Sequence, residues 1–297
     1  MIINYDNWSI YEGAAEGSGR SEKLWLRNDL SNEIGLFKFN KTEETKENVS
    51  EKLASDIAKA IGIPCARIEI GTYQGRIGCM SYLINEINEQ LIEGVSLINK
   101  LYPHYDPSTL YDDDNKMYYS IEMIRNSLIE FGLQDKIFNV LLFDFLIGNA
   151  DRHQSNWAIL RKVSGVELCP LYDNGSSLCC YIRDEAINEY FGKDILKIKS
   201  LIDTKSKSII RIYSDEKKQP THKMVLEFIN TYYHNSIHMM CSKMVTTINE
   251  TLVEEILYKY PDEILNVKRK RLIKLYLLEK VKIMKEICIG EEEERCQ

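Results

Sequence analysis

Residues 148–156 hold the densest group of side chains that could carry chemistry, in the order Gly-Asn-Ala-Asp-Arg-His-Gln-Ser-Asn, directly after an apolar stretch. A polar, glycine-containing segment that leaves a buried helix is a rigid place for functional side chains. Asp151 supplies a carboxylate that can receive a proton, and Asn156 supplies an amide oxygen that can bind a metal ion. Phosphoryl transfer requires such groups beside the attacking hydroxyl.

The interval from Asp151 to Asn156 is five positions, as it is in the catalytic loop His-Arg-Asp-x-x-x-x-Asn of protein kinases. The order differs, because His153 follows the aspartate here. A further carboxylate, Asp173, stands at the end of a predicted hairpin and offers a hard oxygen ligand for Mg²⁺. Each segment alone is common, since Asp-Asn-Gly is usually a turn. Both segments around one hairpin, 22 positions apart from Asp151 to Asp173, favour one catalytic site.

The sequence Gly-Asn-x-Asp-Arg-His-x-x-Asn, followed by Pro-x-Tyr-Asp-Asn-Gly-Ser-Ser-Leu, resembles the HipA-like kinase family. Its Asp-Arg-His-x-x-Asn core is also similar to that of phosphatidylinositol 3/4-kinases. The resemblance implies that Asp151 is the catalytic aspartate and that Asn156 and Asp173 are magnesium ligands. It implies an orienting or phosphate-contacting role for His153.

An ATP-dependent site also needs a lysine on a strand that follows a glycine-containing loop, where it offsets phosphate charge. Lys38, between apolar neighbours, is the natural candidate, although a lysine in such a setting can also extend from a sheet edge to solvent. A helix carboxylate usually holds this lysine, and HipA-like proteins carry a glutamate at the place of Glu51. Glu47, one helical turn earlier, is the alternative.

Residues 13–21 form a glycine-containing loop whose backbone N–H groups could cover the phosphates, through Gly17, Ser18 and Gly19. The loop does not fit the Walker pattern, and a simple hairpin turn is the competing interpretation. Family resemblance implies self-phosphorylation of a serine in this loop, either Ser18 or Ser21.

Short apolar runs and turns in residues 8–39, a helix at 47–61 and strands at 66–72 and 77–84 predict a small sheet with one helix. Backbone groups around Leu83 and Ile84, where two lobes should join, could hydrogen-bond adenine. The later part reads as mainly helical. Its predicted helices span residues 117–131, 134–147, 222–240, 243–258 and 261–289. Residues 157–161 and 166–171 predict the hairpin beside the site.

These elements and the resemblance together predict an α+β, bilobal protein-kinase-like fold. Residues 1–85 would be a small, sheet-rich N-lobe that binds nucleotide. Residues 86–297 would be a larger, mainly helical C-lobe with the catalytic and metal-binding groups. Residues 175–190 resemble an activation or substrate loop.

The composition fits a cytoplasmic enzyme: no signal peptide or apolar span is present, and the eight cysteines show no zinc spacing, so we expect reduced thiols. The net charge of −7 argues against direct nucleic-acid binding. The basic run at residues 268–271 lies within a predicted amphipathic helix and is typical of a solvated face.

The expected activity is that of a serine/threonine protein kinase that uses ATP and Mg²⁺ and acts on a Ser or Thr hydroxyl of a protein. The alternatives are a lipid or small-molecule kinase, a pseudokinase that binds without turnover, and an adenylyl transferase on the same fold. We find no amphipathic segment rich in Trp and basic residues for membrane docking, and every proposed catalytic residue is present.

Family relatives include toxin kinases of toxin–antitoxin modules, so the resemblance implies an antitoxin or another regulatory partner protein. HipA itself carries an extra domain before its kinase core, whereas the glycine loop of this chain begins at residue 13. We therefore expect the kinase core alone.

Overall fold

The computed structural model describes residues 2–12, 22–40, 42, 44–86, 88–192 and 195–290. The glycine-containing loop with Gly17, Ser18, Gly19 and Ser21 lies outside the described residues, so its predicted role stays a prediction.

The first part of the chain forms a six-stranded sheet of order β1-β5-β6-β4-β3-β2, in which β1 and β5 are parallel and the other neighbours are antiparallel. The strands are β1 (Ile3–Asn4), β2 (Ser9–Ile10), β3 (Lys23–Arg27), β4 (Ile34–Phe39), β5 (Ile68–Tyr73) and β6 (Arg76–Tyr82). The predicted strands 66–72 and 77–84 correspond to β5 and β6, displaced by one or two residues. Gln74 and Gly75, with φ of 51° and 73°, make the tight turn between them.

The two faces of β4 differ because side chains alternate across a strand. Phe37 and Phe39 are buried in an aromatic cluster that includes Tyr5, Trp8 and Tyr73. Lys38 therefore projects from the opposite face, together with Leu36, and both are only partly buried. That second face is turned toward the rest of the molecule.

Helix α1 (Glu47–Ala60) covers part of this second face and packs against β5 and β6. Val49, Leu53 and Ile57 recur at helical spacing and are buried in the main hydrophobic core. Gly62 follows the helix with φ of 68°, a left-handed conformation that favours glycine. The prediction of a helix at 47–61 is confirmed to within one residue.

The middle of the chain combines short strands with three helices. Its elements are β7 (Gln90–Glu93), α2 (Gly94–Leu101), β8 (Tyr105–Asp106), β9 (Tyr111–Asp112), β10 (Met117–Tyr118), α3 (Ile121–Leu128), α4 (Ile137–Ile147), β11 (Ala158–Lys162) and β12 (Gly165–Leu168). Strands β11 and β12 form the predicted hairpin, and β7 pairs with the other side of β11. Strands β8, β9 and β10 form a separate small sheet.

The prediction of one helix over residues 117–131 is wrong at both ends. Residues 117–118 are strand β10, and Ser120 caps α3 by accepting the Met123 N–H at 3.3 Å. A 3₁₀ turn at Ile129–Phe131 follows α3. The predicted helix at 134–147 begins later, at Ile137, and is buried on all sides.

The last part of the chain is helical, with α5 (Ile195–Ile202), α6 (His222–Thr247), α7 (Glu250–Leu257) and α8 (Val267–Cys288), preceded by a 3₁₀ segment at Asp184–Phe191. The predicted boundary between residues 240 and 243 is wrong, because α6 continues to Thr247 and Asn249 caps α7. The predicted helix at 261–289 begins at Val267, since Asn266 is its N-cap. None of the helices formed by the described residues is both long and apolar enough to cross a membrane.

Candidate active site

Residues 148–156, the candidate catalytic loop and called the catalytic loop hereafter, leave the buried helix α4 through a tight left-handed turn. Gly148 ends α4 with φ of 66°. A Cβ at this position would lie 2.0 Å from the hydroxyl oxygen of Tyr276 on α8. Glycine is therefore required here both by the backbone conformation and by the space available.

Arg152 holds the catalytic loop to α4 and to the segment that contains Asp173. Its side chain is 1% exposed and makes a bidentate pair with Asp144, with Nε–Oδ2 and NH2–Oδ1 distances of 3.0 and 2.7 Å. It also donates to the carbonyl oxygens of Asn156 and Tyr172, at 2.7 and 2.9 Å, and to Asn174 Oδ1 at 2.6 Å. The two halves of the predicted site thus share one buried guanidinium.

Burial acts to lower the pKa of Arg152, but the Asp144 carboxylate outweighs burial and raises it. The sequence interpretation gave no role to this pair. A signal was present in the sequence of α4. Asp144 is the single charged residue of this helix, and all its other residues except Asn139 are apolar. A carboxylate in such a setting requires a buried partner.

Asp151 and Asn156 are brought together by the loop itself. The amide Nδ2 of Asn156 donates to the carbonyl oxygen of Asp151 at 2.7 Å, and this bond fixes the orientation of the Asn156 side chain. The Asp151 N–H donates to Asn149 Oδ1 at 3.2 Å. His153 Nδ1 accepts the N–H of Ser155 at 3.2 Å, so a neutral His153 carries its proton on Nε2.

Lys38 and Asp173 meet across the molecule although 135 positions separate them, with a distance of 3.0 Å between Nζ and Oδ1. Burial works against the charge of Lys38, yet the carboxylates of Asp173 and Glu51 prevail and raise its pKa. Burial also acts on Asp173, but Lys38, and to a lesser degree His153, lower its pKa overall. Asp173 has φ of 54°, an uncommon conformation for a residue with a side chain.

Glu51, the predicted partner of Lys38, is 2% exposed, and its carboxylate raises the pKa of Lys38. The hydrogen-bonded carboxylate on Lys38 is nevertheless that of Asp173. The Oε1 atom of Glu51 is buried without a hydrogen-bond partner among the described residues. Burial raises the pKa of Glu51, and Lys38 partly offsets this effect. The alternative, Glu47, accepts the hydroxyl of Tyr181 at 2.9 Å.

A second lysine, Lys23, lies beside this pair and was missed in the sequence interpretation. It stands directly opposite Lys38 in the register of β3 and β4, so both side chains project from the same face. Burial and the charge of Lys38 lower its pKa, while Asp173 and Glu93 act in the opposite direction. The available signal was the sequence of β3, in which Lys23, Trp25 and Arg27 occupy every second position and so share one face of the strand.

The predicted adenine contacts, Leu83 and Ile84, lie where β6 ends. The Leu83 N–H already donates to the Ile34 carbonyl oxygen at 2.9 Å, so this amide is committed within the sheet. The Ile84 side chain, like that of Tyr172, packs against two apolar clusters, one with Ile68 and Cys79 and one with Leu160 and Cys169. It therefore joins the first sheet to the β11–β12 hairpin.

A large open cavity of about 1300 Å³ lies beside Leu83, between Arg27 and Ile34 of the first sheet and Val163 at the tip of the hairpin. Its described lining includes neither Asp151 nor Asp173, so the cavity does not itself contain the candidate catalytic groups. Among the described residues, no three His, Cys, Asp or Glu side chains are grouped so as to hold a metal by themselves. A metal at this site would need Asn156 and phosphate oxygens as further ligands.

Comparisons with known proteins bear on the fold and the family of this chain. The chain is 24% identical over 276 residues to the serine/threonine-protein kinase CtkA of Helicobacter pylori strain J99, covering 84% of this chain and 83% of that protein. The crystal structure of a Helicobacter pylori proinflammatory kinase CtkA superposes with a TM-score of 0.82 at 19% identity, covering all of both chains. The α+β, protein-kinase-like fold predicted from the sequence is thereby confirmed.

A second solved structure matches with a TM-score of 0.60 at 16% identity. It is the complex of HipA, HipB and operator DNA from the toxin–antitoxin system of Shewanella oneidensis MR-1. The match covers 97% of this chain and 68% of the other. The model of the HipA-like C-terminal domain family matches residues 16–230, which include Lys23, Lys38, the catalytic loop and Asp173. This chain therefore belongs to the HipA-like C-terminal domain family.

Proposed function

We propose that this protein is an ATP- and Mg²⁺-dependent kinase that transfers the γ-phosphoryl group of ATP to a Ser or Thr hydroxyl of a protein. The observation that carries the proposal is the meeting of Lys38 with Asp173 at 3.0 Å, joined through Arg152 to the loop with Asp151 and Asn156. A cation, an exposed carboxylate, an oriented amide and a proton acceptor in one place are the groups that phosphoryl transfer requires.

The residues present fit both magnesium and ATP. Asp173 has about half of its side chain exposed, so its carboxylate can reach a ligand in the cleft. The bond from Asn156 Nδ2 to the Asp151 carbonyl directs the amide oxygen of Asn156 away from that carbonyl. Asp173 and Asn156 would hold Mg²⁺. The ion would supply positive charge that offsets the negative charge developing on the phosphates during transfer.

The unpartnered Oε1 of Glu51 would be a second acceptor for Lys38, whose pKa the Glu51 carboxylate raises. In the structure Lys38 is bonded to Asp173. If Lys38 releases Asp173, its ammonium group would donate to Glu51 and to a phosphate oxygen. A buried carboxylate oxygen without a partner is costly, and this exchange of partners would satisfy it.

The remaining steps belong to residues of the chain itself. Lys38 and Lys23 would bind phosphate oxygens from the same face of the sheet, and the pKa of Lys38 keeps its charge at neutral pH. Asp151 would accept the proton of the attacking hydroxyl. Arg152 holds the loop and the Asp173 segment in a fixed relation, so that acceptor and metal ligands need little rearrangement.

The protein substrate and the partner are proposed from the relatives. CtkA is named a serine/threonine-protein kinase, and the Shewanella HipA was solved with HipB and operator DNA. We therefore propose a protein hydroxyl as acceptor, with a separate regulatory protein as partner, in the manner of an antitoxin. Phosphorylation of the protein on Ser18 or Ser21 remains part of the proposal.

The test compares transfer of label from γ-labelled and α-labelled ATP, with Mg²⁺, to the protein itself, to a general Ser/Thr acceptor protein and to phosphoinositide vesicles. We expect γ-label only, and loss of at least about 100-fold in Asp151→Asn. Asp113→Asn, the same change at an exposed site paired with Lys116, is the control and should transfer normally. Transfer of α-label would indicate an adenylyl transferase, binding of ATP without any transfer a pseudokinase, and label in phosphoinositide vesicles alone a lipid kinase.

A further inference from the structure

His222, the first residue of α6, contacts the catalytic loop with a buried ring that the proposed mechanism does not use. The side chain is 2% exposed, and both of its nitrogens are bonded. Nε2 lies 2.9 Å from the carbonyl oxygen of Asn149, and Nδ1 lies 2.9 Å from Ser206 Oγ. Asn149 stands two residues before Asp151.

The partners allow one arrangement of protons. A carbonyl oxygen only accepts, so Nε2 of His222 must donate to Asn149. Burial, with a smaller contribution from Lys280, lowers the pKa of His222 to about 3, so the ring is neutral at physiological pH. Nδ1 then accepts the hydroxyl proton of Ser206. The Ser206 oxygen in turn accepts from Lys280 Nζ at 2.9 Å.

Lys280 on α8 is fully buried, and its ammonium group lies 4.6 Å from the ring centre of Phe145 on α4. Burial lowers the pKa of Lys280 to about 7. A lysine in such a place costs free energy that an apolar side chain of the same size would not. Ser206 Oγ also lies 3.2 Å from the buried hydroxyl oxygen of Tyr276. A buried polar network kept at this cost favours one arrangement of the groups around it.

Asn149 connects this polar network to Asp151 through hydrogen bonds. Its backbone N–H donates to the Asp144 carbonyl at 3.0 Å, and its Nδ2 donates to Asp144 Oδ1 at 3.1 Å. Its Oδ1 accepts the Asp151 N–H, and its carbonyl oxygen accepts from His222. Every polar atom of Asn149 therefore has a hydrogen-bond partner. Three of these atoms bond to Asp144 on α4 or to Asp151 in the loop, and the fourth, the carbonyl oxygen, bonds to His222.

We propose that His222 is a positioning residue of the kinase: it donates its Nε2–H to Asn149 and so holds the peptide that leads into Asp151. Ser206 and Lys280 fix the tautomer that makes this donation possible. The inference rests on the proposed function, because it assigns a catalytic purpose to the position of Asp151.

The test compares two changes at one site. His222→Leu introduces an apolar side chain of similar size and removes the hydrogen-bond donor. His222→Gln retains an N–H that can reach Asn149. We expect kcat for transfer to fall about 10- to 100-fold in His222→Leu, with the KM for ATP changed less than about twofold. His222→Gln should recover most of kcat.

Two controls separate positioning from a general loss of stability. Ile237→Ala removes a fully buried side chain from the part of α6 that follows its kink at Tyr233, away from the loop, and should lower Tm while leaving kcat unchanged at a temperature well below Tm. His234→Leu makes the same change of residue type on the exposed part of α6, where His234 bonds only to Asn230 among the described residues, and should change neither quantity.

Peptide-resolved hydrogen exchange tests the same proposal without activity. The amides of Ala150 and Asp151, which donate to Ser176 and Asn149, should exchange faster in His222→Leu than in wild type or Ile237→Ala. Unchanged kcat in His222→Leu, an equal loss in Ile237→Ala, failure of His222→Gln to recover, or unchanged exchange would each overturn the proposal. A wild-type protein that transfers no phosphoryl group would refute the proposed function instead, and the exchange result would still decide whether His222 holds the loop.

Discussion

Removing the carboxylate of Asp144 is expected to destabilise the protein far more than removing a carboxylate from its surface. The side chains of Arg152 and Asp144 are 1% and 4% exposed. Asp144→Asn keeps the shape of the residue but leaves the guanidinium buried without its counter-charge. The perturbation therefore isolates the electrostatic part of the contact that joins α4 to the catalytic loop.

The size of the effect follows from what remains around Arg152. Breaking a buried ion pair by removing one partner costs about 3–5 kcal/mol. The change affects the bonds from Nε and NH2 to Asp144 and the bond from Asn149 Nδ2 to Asp144 Oδ1, while the acceptors on Asn156, Tyr172 and Asn174 stay in place. The asparagine also keeps one acceptor oxygen. We therefore expect a loss near the lower end, about 3 kcal/mol of the free energy of unfolding.

Urea unfolding followed by tryptophan fluorescence measures this loss as a lower midpoint with an unchanged m value. Asp113→Asn, in an exposed pair with Lys116, is the matched control and should leave the midpoint unchanged. The double change Asp144→Leu with Arg152→Met should recover only part of the stability and none of the transfer activity, because the acceptors on Asn156, Tyr172 and Asn174 lose their donor. A midpoint for Asp144→Asn equal to that of Asp113→Asn would refute the reasoning.

Further changes test other parts of the site. Lys38→Met should lower kcat/KM for ATP by about 100-fold or more while circular dichroism shows a folded protein, and wild-type kinetics would refute its role. Lys23→Met should raise the KM for ATP by about 10-fold, and an unchanged KM would exclude a phosphate contact. Gly148→Ala should lower the free energy of unfolding by about 1–3 kcal/mol or more, because the left-handed backbone is strained with a side chain and the space is filled. The pKa of His222 is about 3 when folded and 6.5 when unfolded, so the unfolded state takes up a proton first and stability falls as the pH drops from about 6.5 toward 3. His222→Gln should lack this part of the acid sensitivity in urea midpoints measured across that range.

Local patterns predicted the helix α1, the β11–β12 hairpin and the two segments that carry Asp151 and Asp173. These features depend on spacing within a few residues, where periodicity and turn chemistry act directly. The end of α6 was not predicted, because the helix passes through Met240 and Lys243 without a stop signal and ends where Asn249 caps the next helix. Helix ends are decided by capping residues more than by apolar spacing.

Contacts between distant parts of the chain could not be read from the sequence. Lys38 meets Asp173 across 135 positions, and His222 meets the Asn149 carbonyl across 73. Lys23 becomes visible only once the register of β3 and β4 is known, since that register places it opposite Lys38. Asp144 and Arg152 are an exception, because a single carboxylate in an apolar helix already calls for a buried cation.

The position of α1 predicts how separately expressed fragments of the protein would behave. The helix is connected by chain to the first sheet, yet Val49, Leu53 and Ile57 belong to the same hydrophobic core as α4, α6 and α8. A fragment that begins at residue 86 would expose the surface that α1 covers, and a fragment of residues 1–85 would carry an apolar helix face into solvent. Neither fragment should be soluble alone, whereas the two expressed together should reassemble into one complex through α1.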